Sequence, residues 1–255
     1  MEDLIRHLPV IDPPLMDAAG SLGFAPDARA PIDWEEFGAF VTNPISARVR
    51  RPAAQHRWQI YPGGAILHTG HPNPGFDQAV RQFSTRWAQS PVPVVVHLLA
   101  ASPEVIRDQV MKLETLENIL AVEIGFPENI SRGEMDEVLS AAFGELPVIA
   151  RVPLMLAVEL AAVVEDAGAS AISLCTPRGA LPVEYKIAAG RMYGPGVFPL
   201  SLQVVRELAG SSLPMIAGGG VFTRRQVEGY INAGAAAVQV DLALWRGDWL
   251  RAEGA

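Results

Sequence analysis

Five apolar, strand-length runs each carry one residue able to do chemistry near their C-terminal end. His97 stands in VPVVVHLL, Glu123 in AVEIGF, Arg151 in PVIARV, Cys175 in SAISLCT and Asp241 in AAVQVD. A glutamate can accept a proton or anchor a substrate, and an arginine can stabilise negative charge. On neighbouring strands, Glu123 and Arg151 form either a catalytic couple or a purely structural ion pair. His97 also reads as a core histidine with satisfied ring nitrogens. Cys175 also reads as plain packing, because a reactive thiol needs a lowered pKa.

A sixth run raises a different chemistry. PMIAGGGVFTRRQ passes from a strand through Gly218-Gly219-Gly220 into a helix start. Bare N–H groups and the positive end of a helix dipole suit an anion, most often a phosphate. The other reading is a tight turn or close helix–strand packing, which glycine also permits. His68-Thr69-Gly70-His71 lies in a Gly/Pro loop with no third metal ligand nearby, so no metal site is expected. The cluster Arg48, Arg50, Arg51 either grips an acidic ligand or is solvated.

These residues need a scaffold, and the pattern of runs supplies one. Eight strand-like segments recur at 15–20, 39–43, 92–99, 121–126, 147–152, 170–176, 214–218 and 236–241. They are rich in Val and Ile and mostly uninterrupted, which marks a parallel sheet buried on both faces. Helix-period segments separate most of them. Ser102-Pro103 opens one helix, with Ile106, Val110 and Leu113 on one face. Ser131/Glu134 and Thr223/Gln226 read as capping boxes, and Gly168 and Gly234 as helix stops. Strand then helix, repeated to eight strands, is a (β/α)8 TIM barrel, an α/β fold of one domain over residues 1–255. The long interval between strands two and three, 44–91, reads as an insertion at the catalytic end. Its last part carries Val80, Phe83 and Trp87 on a helix. Trp245 and Trp249 read as a helix face closing the barrel.

Composition bounds the partners. A formal charge of −8 argues against a nucleic-acid surface. The longest apolar runs are too short to span a bilayer, and MEDLIRHLP does not read as a signal peptide. The single cysteine, Cys175, excludes an internal disulfide and fits a reducing compartment, so a cytoplasmic protein is expected.

Several motifs, in order, carry a family resemblance. They are LMDAAGSLGF (15–24), AFVTNPIS (39–46), LHTGHPNPGF (67–76), YGPGVFPLSLQVVREL (193–208) and MIAGGGVFTRRQVEGYINAGAAAVQVDLAL (215–244). Together they resemble the dihydroorotate dehydrogenase family, barrels that bind FMN. The resemblance implies that Gly219 and Gly220 meet the FMN phosphate, with Gly194 nearby. It places Gly20 and Ser21 in the first-strand loop beside the flavin. Asn43 stands where the family has a lysine, and Arg151 replaces a lysine that contacts the flavin ring. The eighth strand departs from the pattern. Asp241 and Leu242 stand where the family has Gly then Thr or Ser, and a carboxylate beside a phosphate is repulsive.

The substrate set departs further. The family's proton acceptor is a cysteine or serine in a loop like N-x-S-[CS]-P-N, whereas this chain reads EIGFPEN, with Phe126 at that place. Phenylalanine cannot accept a proton. Glu123 and Glu128 replace asparagines that hold orotate, and Cys175, followed by Thr176, replaces another. In the substrate-covering loop, His68, His71 and Asn73 are the polar residues offered to a ligand. The implied activity is an FMN oxidoreductase acting on a CH–CH group of a small molecule, with altered substrate choice. Glu123, Arg151 and His97 are its catalytic candidates. The alternatives are a non-catalytic barrel that binds a phosphorylated ligand or a protein partner, and a flavin-free lyase or isomerase. A homodimer is left open.

Overall fold

The computed structural model describes residues 7–27, 29–54 and 58–246. Its strands in chain order are β1 (Leu15–Asp17), β2 (Phe40–Val41), β3 (Trp58–Tyr61), β4 (Gly64–Leu67), β5 (Val94–Leu99), β6 (Ile119–Gly125), β7 (Val148–Pro153), β8 (Ala171–Cys175), β9 (Arg178–Val183), β10 (Lys186–Tyr193), β11 (Met215–Gly218) and β12 (Ala237–Val240). The helices are α1 (Phe76–Ala88), α2 (Pro103–Leu113), α3 (Arg132–Ala141), α4 (Ala157–Asp166), α5 (Val197–Leu208), α6 (Arg224–Asn232) and α7 (Leu242–Arg246). None of the described helices is long and apolar enough to cross a membrane.

Eight strands form one parallel sheet in the order β1-β12-β11-β8-β7-β6-β5-β2. A parallel bridge between Met16 and Ala39 brings its two edges together, and the Gly38 N–H donates to the Leu15 carbonyl at 2.9 Å. The barrel is thus nearly closed, as the eight apolar runs require. At this seam Gly38 has no substitute, since a Cβ there would stand 2.2 Å from the Pro13 carbonyl oxygen.

Alternation along the strands separates two cores. Outward side chains such as Val94, Val96, Leu98, Val122 and Ile124 pack beneath the helices. Inward ones, including Met16, Val41, Val95, Ala121, Ile149, Ala171, Ile216 and Ala237, form a dry layer inside the barrel. The helix stripes read from sequence point inward as expected, with Ile106, Val110, Leu113, Met135, Val138 and Leu139 all buried. Both capping boxes are made, Ser131 with Glu134 and Thr223 with Gln226. Each satisfies N–H groups that a helix start leaves bare.

A second sheet lies outside the barrel, antiparallel in the order β3-β4-β10-β9. Its first hairpin follows barrel strand β2 and its second follows β8. Both therefore rise from the C-terminal end of the barrel and form a flap there. The sequence reading left residues 178–193 without an element. That segment carries glycines and Pro182, and its strand β10 pairs with β9 along the hairpin and with β4, more than a hundred residues earlier in the chain.

Helix α1 anchors the excursion that carries the first hairpin. Trp87 is fully buried, and its Nε1–H donates to the Phe24 carbonyl at 2.7 Å. Trp87→Ala is expected to lower the unfolding free energy by about 3–5 kcal/mol, read from a urea titration.

Candidate active site

Above the dry layer the barrel interior turns polar. Glu123 on β6 is fully buried, and its two oxygens have four partners. Ser173 Oγ donates to Oε1 at 2.6 Å and Gln239 Nε2 at 2.9 Å. Arg151 Nη1 lies 3.4 Å from the same oxygen, and His97 Nδ1 lies 2.5 Å from Oε2. Arg151 also donates to Gln239 Oε1. Five barrel strands thus meet through one carboxylate. Burial works against its charge, but Arg151 and the bonds from His97 and Ser173 hold it well below the usual carboxylate range. Burial works against the charge of Arg151, but Glu123, with smaller help from Cys175 and Tyr193, more than offsets it and keeps the guanidinium protonated. Burial pushes His97 down despite Glu123, so a neutral imidazole donates from Nδ1. Glu123, Arg151 and His97 are therefore brought together as one cluster in which both oxygens of the Glu123 carboxylate are engaged. Ser173 and Gln239 complete it. The signal for both was a polar residue two places before Cys175 and Asp241, on the same inward face.

The tips of the last two strands form a second group. Gly219 and Gly220 are buried, with φ of +94° and +71°. A Cβ on Gly220 would stand 2.4 Å from the Phe198 nitrogen, so the start of α5 packs onto bare backbone. Thr176 Cγ2 lies 3.3 Å from where a Cβ on Gly219 would stand. Two side-chain donors nearby lack partners, Arg151 Nε and Thr176 Oγ1, both deeply buried. Buried polar groups are nearly always paired, so two idle side-chain donors at one barrel end ask for an acceptor. Gly194 packs against the β3–β4 turn, where a Cβ would meet the Gly63 carbonyl oxygen at 2.3 Å.

Asp241 stands on the same rim. Its carboxylate accepts the Leu242 N–H at the start of α7. Burial pushes its pKa up to about 6. Trp245 on α7 donates from Nε1 to the Ser21 carbonyl at 2.7 Å and lies against Tyr193 and Trp58. Gly20 borders a small cavity beside Tyr193 and Trp245. Asn43 holds the Gly23 N–H at 3.2 Å. Trp245 closes the rim, and Trp249 lies outside the described residues.

A cavity of about 480 Å³ opens between the barrel mouth and the flap. His68, His71, Glu128 and Cys175 line it, as does Phe126, together with Arg50, Arg178 and Arg191. Gly125 forms part of its floor, where a Cβ would stand 2.6 Å from His97 Nε2. Asn73 is not among these lining residues. Its buried carboxamide accepts the Ser46 and Gly75 N–H groups and holds the loop that carries Arg50. Arg178, Arg191 and Tyr193 escaped the sequence reading because the flap hairpin that carries them did.

A parallel (β/α)8 barrel with a polar mouth and a cavity beneath a flap defines the class as an α/β barrel of the TIM type. No family model matches the chain. Curated relatives do. The catalytic subunit of dihydroorotate dehydrogenase B (NAD(+)) of Desulforudis audaxviator is 27% identical over 252 residues, 90% of this chain and 82% of that protein. The Pelobacter propionicus protein of the same name is 25% identical over 258 residues, covering 90% and 83%. That of a Geobacillus species is 24% identical over 258 residues, covering 90% and 80%. Over about nine-tenths of its length the chain is thus similar to catalytic subunits of dihydroorotate dehydrogenase B.

Asp241 carries a pH signature. Its folded pKa lies above its ordinary value, so the stability it lends is present at low pH and lost as pH rises through about 6. Asp241→Asn keeps an acceptor for the Leu242 N–H and should flatten that slope. The variant is expected to be more stable at pH 8 by up to about 3 kcal/mol, measured by denaturant unfolding across pH.

Proposed function

We propose that this chain is an FMN-dependent oxidoreductase of the dihydroorotate dehydrogenase type whose substrate is not dihydroorotate. The observation that carries the reading is a pair of buried side-chain donors without partners, Thr176 Oγ1 and Arg151 Nε, with Thr176 beside the side-chain-free backbone of Gly219. These residues fit a flavin nucleotide. The two glycines would take the phosphate, with Thr176 beside them, and Arg151 would face the ring end. A flavin supplies hydride acceptance when bound.

The chain's own residues then divide the work. Glu123 is an anchor, because both oxygens are engaged inside the barrel and its charge is locked by Arg151 and His97. Arg151 is held charged beneath the mouth and stabilises negative charge that develops there. Phe126, 4% exposed at the end of β6, leaves the relatives' proton-acceptor position without a base. His71, in the flap loop, is kept neutral, since burial and the nearby Arg191 push it down to about 3. It can accept a hydrogen bond from a ligand in the cavity. A second reading, a barrel of the same scaffold without flavin, draws on Asp241, whose carboxylate already occupies the Leu242 N–H.

Purified protein is expected to show a flavin absorption spectrum or to take up added FMN. A colourless protein that binds none removes the reading. Thr176→Val deletes an unpaired hydroxyl at constant shape. It should weaken FMN binding about tenfold while leaving the melting temperature of the flavin-free protein unchanged or higher. Dihydroorotate turnover with a dye acceptor should be little or none, and ordinary turnover would show that Phe126 does not remove the proton route.

A further inference from the structure

We infer that the cavity beneath the flap binds a small acid carrying at least two negative charges, a polycarboxylate or a phosphorylated acid. The inference rests on the reading above in one respect: the same cavity is taken as the substrate site. The charge argument itself is independent of the flavin.

Three arginines, Arg50, Arg178 and Arg191, line the cavity against one glutamate, Glu128. None of the three arginines makes an ion pair among the described residues. Two of them are forced together by the fold. Arg178 on β9 and Arg191 on β10 are directly opposite in the antiparallel ladder. Opposed residues share one face of a sheet, and like charges in that position are destabilising. Leu67 pairs with Arg191 on the other side, which sets His68 at the same edge. Arg50 arrives from a separate loop, fixed by its bridge to Asn73. Three separate segments thus bring guanidinium groups to one cavity whose lining holds a single carboxylate, Glu128.

Neighbouring groups register the same imbalance. His71, between these arginines, is suppressed by burial first and then by Arg191 and Arg50. A guanidinium presents a planar fork that suits carboxylate and phosphoryl oxygens. With the partly enclosing flap, the bonds form where water screens them less. A single carboxylate would leave most of this charge unanswered. A ligand with two or more charges answers it, and a cavity of about 480 Å³ has room for one.

The test is calorimetric titration of the full chain with succinate, citrate, inorganic phosphate and glycerol 3-phosphate. Acetate and orotate serve as single-charge probes, and melting temperatures are taken in parallel. The expected result is that a multiply charged probe binds at least about tenfold more tightly than either single-charge probe. The carboxylate and phosphate arms tell which source is preferred. Arg178→Gln and Arg191→Gln should each weaken that binding at least about tenfold. Each should also raise the melting temperature of the ligand-free protein, because the opposed charges are gone. An arginine kept only for structure would not give those opposite signs. Arg206→Gln, on the far helix α5, should change neither reading. The inference is overturned if no multiply charged probe binds, if acetate or orotate binds as tightly, or if the two variants bind unchanged. Failure here with a normal flavin spectrum leaves the oxidoreductase reading standing. Binding here without flavin removes that reading and keeps this one.

Discussion

One buried carboxylate organises the inside of this barrel. Glu123 has no exposed surface, and a lone charge in such a place is prohibitively costly. The structure answers it from β5, β7, β8 and β12 at once, through His97, Arg151, Ser173 and Gln239. Removing one partner of such a buried pair typically costs about 3–5 kcal/mol, because the other charge is stranded. The cluster therefore sets the relative height of five strands, and the mouth above inherits that register. It also sets what the mouth can do. Arg151 keeps its charge, His97 stays neutral, and Glu123 is spent on both.

Function has been displaced outward from that cluster. Gly125 is bare because the His97 ring passes beneath it, and this opens the cavity floor. Phe126 follows on the same strand end, apolar and buried, and turns the adjoining wall toward packing. The polar groups that face the cavity come largely from the flap and its loops. The molecule thus has a fixed polar layer inside the barrel and a cationic layer above it. The first is built around a carboxylate engaged on both oxygens, whereas the arginines of the second make no ion pair among the described residues.

Much of the architecture was legible in the chain. Eight apolar runs, most of them separated by one helix-period segment, left few alternatives to a closed parallel sheet, and all eight are strands of the barrel. Ser131/Glu134 and Thr223/Gln226 cap helices where their spacing said they would. Capping and amphipathic stripes are decided within a turn or two of helix, so local sequence is enough. The positions of His97, Glu123 and Arg151 near strand ends were legible for the same reason. The engagement of both Glu123 oxygens was not, because their partners include Gln239, 116 residues after Glu123.

What the sequence determined by itself, then, is the scaffold and the kind of residue offered at its rim. Periodicity and turn chemistry are short-range, and a parallel barrel follows from their repetition. Tertiary structure alone decided which rim residues meet. The flap hairpin at 178–193 has weak strand character and is held by pairing to β4. Pairing of β10 with β9 sets Arg191 opposite Arg178, and the pairing to β4 joins that hairpin to the first one, so that both arginines line the cavity with Arg50 and His71. Contacts between segments more than a hundred residues apart leave no local trace, because either partner is chemically ordinary until the other is placed beside it.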